Sequence, residues 1–310
     1  MEHALLQVEN VSVGYKQPLI TGITAQLSAG DICLMIGNNG VGKTTLIRTL
    51  LKQLAPMKGE ITLAGRPLPS LSTTEIAKTT AVVFSKAPIP ANMTVRDLVS
   101  LGKFIHYPFY FQISIQDKEE VNDIIDWLSL THLADKPLYQ LSDGNLQKAY
   151  IGRALAQDAP LIILDEPTTH LDENNKIMLL QLLRQLAKEQ NKCILFSSHD
   201  WRLAREFSDQ VWLLQDGSFS AGNTEHILYE HKEMLNATVF NLNQFFKAPT
   251  IRAPQLEAQL LYSFLQKNCN SDLSSFNVTF EDDQWIVTNH KYVQQFKNFE
   301  SVTEYFYKIK

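Results

Sequence analysis

The chain has 310 residues, enough for one large or two unequal domains. Its 45% hydrophobic and 20% charged content is that of an ordinary globular protein. Lys and Arg total 28 against 33 Asp and Glu, a formal charge of −5, so the basic excess of a nucleic-acid binder is missing. The three cysteines, Cys33, Cys193 and Cys269, are far apart and read as reduced thiols, not as bridges or metal ligands. Met1-Glu2-His3-Ala4 has no basic leader pattern, so no signal peptide is expected. No apolar run approaches the roughly 18 residues that span a bilayer.

Two strand-like pieces come first, Leu5 to Tyr15 and Leu19 to Leu27, around a turn near Lys16-Gln17-Pro18. Tyr15 has two readings, a base-stacking ring or a strand aromatic in the core. Asp31-Ile32-Cys33-Leu34-Met35-Ile36 is a short buried strand. Gly37-Asn38-Asn39-Gly40-Val41-Gly42-Lys43-Thr44-Thr45 follows it, and a helical pattern from Leu46 follows that. A further strand at Ile61–Leu63, a short helix near Ser72–Lys78 and a buried strand at Thr80–Phe84 complete the first part.

Residues 85–155 change character. Pro88, Pro90 and Pro108 punctuate a stretch with helical spacing at Val95-Leu98-Val99 and at Val121-Ile124-Ile125-Leu128. This predicts a helical insertion between strands of the main sheet. Its aromatic tract, Ile105 to Phe111, reads either as partner-facing surface or as a loop folded onto its own subdomain. Buried strands return at Leu161–Leu164 and Cys193–Phe196, separated by a helix over Glu173–Glu189. The strand Val211–Leu214 leads to an Asp216-Gly217 hairpin turn. Buried strands alternating with helices predict a mostly parallel sheet in an α/β fold, with functional loops at the strand C-terminal ends. Residues 237–253 read as a linker. Residues 254–310 read as a small α-β-β-α appendage, either regulating or stabilising a dimer or serving no regulatory role.

The loop Gly37–Thr45 fits G-x-x-x-x-G-K-[ST] between a strand and a helix, the context such a phosphate-binding loop requires. Glycines let backbone wrap closely around an anion, and the loop amides and helix N-terminus present positive charge to it. Lys43 is placed to reach the β- and γ-phosphates, and Thr44 to ligate Mg²⁺. Asp165 ends a buried strand, where an Asp helps hold Mg²⁺ in phosphate-loop enzymes. Glu166 follows and is the candidate general base for the attacking water. His199, at the end of the next strand, is the candidate partner of the γ-phosphate.

With those residues in place, the chain resembles the ATP-binding subunits of ABC transporters over roughly residues 4–235. The resemblance rests on Tyr15, Gly37–Thr45, Leu141-Ser142-Asp143-Gly144-Asn145, Leu161–Pro167, His170-Leu171-Asp172 and His199. It implies a P-loop NTPase fold, with an N-terminal antiparallel β subdomain and a helical subdomain at about 86–155, all within residues 1–236. It implies ATP hydrolysis with Mg²⁺, and makes Tyr15 the adenine-stacking aromatic. Ser142, Asp143, Gly144 and Asn145 look like the family signature. That signature acts in trans, closing over the ATP of a second copy in a head-to-tail homodimer. His170-Leu171-Asp172 looks like the loop that communicates between the two sites.

Two departures stand out. Asp143 and Asn145 replace the usual Gly and Gln of the signature. The Gln that family members usually carry after the strand ending Val82-Val83-Phe84 is replaced by Ser85; either Ser85 reaches Mg²⁺ through a water, as a candidate ligand, or coupling works differently. The stretches Thr94–Lys103, Gly152–Asp158 and His199-Asp200 look like importer subunits for iron–siderophore, haem or cobalamin ligands. The resemblance then implies a cytoplasmic subunit peripheral to the cell membrane, meeting permease subunits through residues 85–115. The competing reading is a soluble ABC ATPase in translation or DNA repair. One ATPase unit, no sustained heptads and mild acidity stand against it.

Overall fold

The computed structural model describes residues 4–85, 89, 92–107, 113–169, 171–231, 246–269, 271–281, 283–289 and 292–308. The chain divides into two compact units, residues 1–235 and 236–310. In the first unit the strands are β1 (Leu6–Gly14), β2 (Pro18–Leu27), β3 (Ile32–Ile36), β4 (Lys58–Leu63), β5 (Arg66–Pro67), β6 (Thr80–Val83), β7 (Leu161–Leu164), β8 (Cys193–Ser198), β9 (Gln210–Gln215) and β10 (Ser218–Asn223). Its helices are α1 (Lys43–Leu50), α2 (Thr73–Thr79), α3 (Val95–Ser100), α4 (Ile115–Trp127), α5 (Asp143–Ala156), α6 (Glu173–Gln190), α7 (Arg202–Phe207) and α8 (Thr224–Glu230).

The main sheet has the order β10-β9-β3-β8-β7-β6. All neighbours in it are parallel except the β9–β10 hairpin. That hairpin turns at Asp216 and Gly217, with φ of 48° and 80°, as a two-residue turn requires. A separate antiparallel sheet has the order β2-β1-β4-β5. The expected α/β fold with a parallel sheet, an antiparallel β subdomain and a helical insertion is present.

Alternation along the central strands assigns their side chains to two cores. Ile32, Leu34 and Ile36 of β3 join Ile162, Leu164, Ile194 and Phe196 beneath α3, α4, α5 and α6. Cys33 and Met35 face the other way and join Leu161, Ile163, Cys193 and Leu195 against α1 and the antiparallel sheet. Both faces are covered, so these strands are apolar throughout. Burial and the charge of Asp31 push the Cys33 thiol well above its usual range, so it stays protonated at neutral pH.

Helix starts follow local chemistry. Ser72 with Glu75 and Thr94 with Asp97 form reciprocal capping boxes at α2 and α3. Ser114, Ser142 and Asp172 cap α4, α5 and α6 through their side chains. In the helical insertion α5 packs on α3 and α4 at Gly152. A Cβ there would lie 2.9 Å from Val99 and 3.0 Å from Leu128. Apart from an isolated bridge between Thr94 and Pro137, no strand interrupts the insertion among the described residues.

The second unit departs from the sequence reading. It contains β11 (Thr250–Arg252), α9 (Gln255–Asn268), β12 (Asn277–Glu281), β13 (Gln284–Asn289), β14 (Tyr292–Phe296) and α10 (Phe299–Lys308). The sheet order β11-β12-β13-β14 makes it β-α-β-β-β-α, not α-β-β-α. Residues 250–252 of the expected linker form a strand because they pair in parallel with β12, a non-local contact that three residues do not signal. The rest of that linker up to residue 245 lies outside the described residues. The strand β14 escaped because it is an exposed edge, its side chains almost all in solvent, so no apolar alternation marks it. The core of this unit is Val278, Trp285, Val287, Val302 and Phe306 with Leu261 and Leu265.

Candidate active site

The parallel register of β3, β8 and β7 brings three strand ends together. The loop after β3 runs Gly37–Gly42 into α1. Gly40 and Gly42 hold φ of 82° and 118°, a region that side chains with Cβ rarely adopt. Gly42 is the N-cap of α1, so the amides of the loop and of the helix start converge on one mouth. Asn38, Asn39 and Gly40 are exposed there, Val41 and Thr45 pack inward, and Thr44 is exposed. The buried Lys43 Nζ crosses the mouth. It donates to the carbonyl oxygens of Gly37 at 2.7 Å and Asn38 at 3.2 Å.

Asp165 follows β7 and is only 4% exposed. Thr44 Oγ1 donates to its Oδ2 at 2.9 Å, and Ser197 Oγ donates to its Oδ1 at 2.7 Å. Ser197 also accepts the backbone N–H of Glu166 at 2.9 Å. Glu166 has φ of 50°, unusual for a residue with a side chain and worth about 1–3 kcal/mol of local strain. Pro167 disfavours the right-handed helical conformation at position 166, and the Ser197 bond holds the alternative. The Glu166 carboxylate lies 3.5 Å from Lys43 Nζ and 4.0 Å from His199 Nδ1, and accepts from Thr169 Oγ1 at 3.2 Å. The His199 side chain is half exposed.

Lys43, Thr44, Asp165, Glu166 and His199 therefore form one cluster at the loop mouth. Thr44 and Asp165 supply adjacent hard oxygen donors, which suit Mg²⁺. No group of three or more His, Cys, Asp or Glu that could hold a metal occurs among the described residues. A site of few protein ligands completed by phosphate oxygens and water fits that donor set.

Other predicted residues lie elsewhere. Tyr15 stands just past the end of β1 and is 62% exposed, so the core reading of its ring is wrong. Ser142 caps α5, accepting the Asn145 N–H at 3.4 Å. Asp143 and Gly144 occupy the first turn of α5, and neither takes a positive φ, so Asp143 costs no backbone freedom. Among the described residues, no hydrogen bond joins Ser142–Asn145 to the phosphate loop. Ser85 sits in a turn after β6 and makes no hydrogen bond to Thr44 or Asp165 among the described residues. It shares a cavity of ≈ 190 Å³ with Glu166, Thr169, Asp143 and Gln147. His170 lies outside the described residues.

A family model described as "ABC transporter" matches residues 20–169. The achromobactin transport ATP-binding protein of Dickeya dadantii is 35% identical over 235 residues, covering 75% of this chain and 86% of that one. The chain belongs to the ABC transporter ATP-binding proteins. Among solved structures, one of an inward-facing transporter assigned to the metal-chelate ABC type is 30% identical with a TM-score of 0.66. It covers 76% of this chain and 89% of its own. A dimeric ABC transporter cassette is similar in fold, at 24% identity and a TM-score of 0.64, covering 71% of this chain and 98% of its own. ATP binding and hydrolysis come with this family. No described helix is long and apolar enough to cross a membrane.

Ser197 and Thr169 were not singled out from the sequence. The signal for Ser197 was in the register. Leu164 pairs with Phe196, so the residue after β7 stands beside Ser197. Replacing Ser197 with Ala leaves the buried Asp165 Oδ1 and the Glu166 N–H without that partner. We expect a loss of about 1–3 kcal/mol in urea unfolding, from unpaired buried groups, with turnover reduced and ATP affinity retained. Unchanged stability and turnover would show that the hydroxyl positions nothing.

Proposed function

We propose that this ABC transporter subunit hydrolyses ATP at the Lys43–Glu166 cluster to drive import of a metal chelate of the iron–siderophore, haem or cobalamin kind. The observation that carries the reading is the 3.5 Å approach of Glu166 to Lys43 beside the Thr44–Asp165 pair. The loop amides and Lys43 bind and orient the triphosphate. Thr44 and Asp165 would hold Mg²⁺, which supplies positive charge over the phosphate oxygens. Glu166 takes the proton from the attacking water, as ATP and water give ADP and phosphate. His199 steadies the γ-phosphate from the end of β8, and Tyr15 offers its exposed ring to adenine.

Ser142 and Gly144 present the start of α5 to the nucleotide of a second copy, an anion-favouring helix end. The similarity to a dimeric cassette supports that arrangement. The relative serving achromobactin transport and the neighbour of the metal-chelate type support the ligand class. In this reading the subunit lies at the cytoplasmic face of the membrane and meets its permease through residues 85–115.

Two outcomes test this. Glu166→Gln keeps the shape and removes the base, so ATP binding stays and turnover falls by about 10²–10⁴. Near-normal turnover of the purified variant would sink the assignment. Chains carrying Ser142→Arg or Lys43→Ala should each be inactive, and mixing them should restore turnover through the one composite site that keeps both parts. A tight ATP dimer of Ser142→Arg alone, seen by light scattering, would contradict action in trans.

A further inference from the structure

Given the base role proposed for Glu166, we infer that the Thr169 hydroxyl is its positioning group. It holds one oxygen of the Glu166 carboxylate so that the other stays at the loop mouth. A glutamate side chain turns about several bonds, so a base on it works well only when its head is fixed. The two oxygens of Glu166 have different surroundings. Oε1 lies 3.5 Å from Lys43 Nζ and 4.0 Å from His199 Nδ1, at the phosphate-binding mouth. Oε2 accepts from Thr169 Oγ1 at 3.2 Å.

The turn that carries Thr169 does not need this hydroxyl. Main-chain bonds already close it, from the Thr169 N–H to the Glu166 carbonyl and from the Leu171 N–H to the Thr168 carbonyl, both at 3.3 Å. The segment is anchored on both sides. Before it, the Glu166 N–H donates to Ser197 Oγ at 2.9 Å. After it, Leu171 packs against the core beneath the helical insertion, and Asp172 caps α6. A Cβ at Gly144 would lie 3.4 Å from Leu171 Cδ2, so the segment also abuts the first turn of α5. A donor whose main chain is held on both sides gives the carboxylate a fixed point.

Lys43 cannot do the same during turnover. With a triphosphate in the mouth, Lys43 turns to the phosphate oxygens, and the same phosphates repel the Glu166 carboxylate. Thr169 is neutral and donates to the other oxygen, so the exchange at Lys43 leaves its bond in place. That bond keeps Oε1 toward the attacking water. The water's proton passes to Oε1 as its oxygen bonds the γ-phosphorus and ADP departs. Without the hydroxyl the carboxylate is free to turn away, and Oε1 is misplaced as the proton acceptor.

The test uses the full chain with Thr169→Val, which removes the hydroxyl at nearly constant shape, and Thr169→Ser, which keeps it. Affinity for a fluorescent ATP analogue should stay within about twofold in both. The kcat of Thr169→Val should fall by about 10- to 10²-fold, the size of a small misplacement of a catalytic group, with KM little changed. Thr169→Ser should stay within about threefold of the unaltered chain. Added to Glu166→Gln, Thr169→Val should lower turnover by no more than about twofold further, because the hydroxyl acts through the carboxylate. Should Thr169→Val fail to fold by circular dichroism, Thr169→Ala deletes the same hydroxyl and carries the same expectations. Turnover of Thr169→Val within about twofold of the unaltered chain overturns the proposal. So does an equal loss in Thr169→Ser, which marks packing of the methyl group. An equal further loss on top of Glu166→Gln also overturns it, because the hydroxyl then acts elsewhere. Glu166→Gln alone keeps the two readings apart. Full turnover there removes the base itself, whereas a large loss there with none in Thr169→Val removes only the role of Thr169.

Discussion

The site depends on one buried carboxylate. Asp165 is shared between the hydroxyls of Thr44 and Ser197, at 2.9 and 2.7 Å. A carboxylate that is 4% exposed is tolerable only with such partners. Thr44 comes from the start of α1, after the phosphate loop, and Ser197 from the end of β8, and so the one anion fixes the phosphate loop, the end of β7 and the end of β8 together. Ser197 extends this to Glu166, whose left-handed backbone turns its carboxylate toward Lys43 and His199. The parallel register of three apolar strands is what makes that sharing possible. Their apolar character comes from cores on both faces.

Much of this was legible in the chain. The spacing Gly37–Thr45 after an apolar run of strand length identifies a phosphate loop by its chemistry, since each residue type of the pattern has one task there. Asp165-Glu166 after Leu161–Leu164 follows by the same logic of strand ends. The helical insertion showed itself through period and through the prolines that bound it. What escaped was non-local. The role of Ser197 needs the pairing of β7 with β8. The strand Thr250–Arg252 exists only against β12, and Tyr292–Phe296 is an edge with no apolar face. Tyr15 could not be placed by spacing, because the strand ends one residue before it.

The departures from the family pattern now have physical readings. Asp143 lies in the first turn of α5 with helical backbone, where a carboxylate is favoured by the helix dipole. The substitution therefore asks nothing of the chain locally. The loss of the glutamine at Ser85 is different, since it removes a long amide from the wall of the Glu166 cavity.

The central claim is that Asp165 and Thr44 together make the metal-dependent part of nucleotide binding. Nucleotide affinity measured with and without Mg²⁺, in the unaltered chain and in Asp165→Asn, tests it most directly. The account predicts that Mg²⁺ tightens ATP binding in the unaltered chain, and that this gain disappears in Asp165→Asn while circular dichroism shows the fold intact. A folded Asp165→Asn protein that keeps the full Mg²⁺ gain would contradict it.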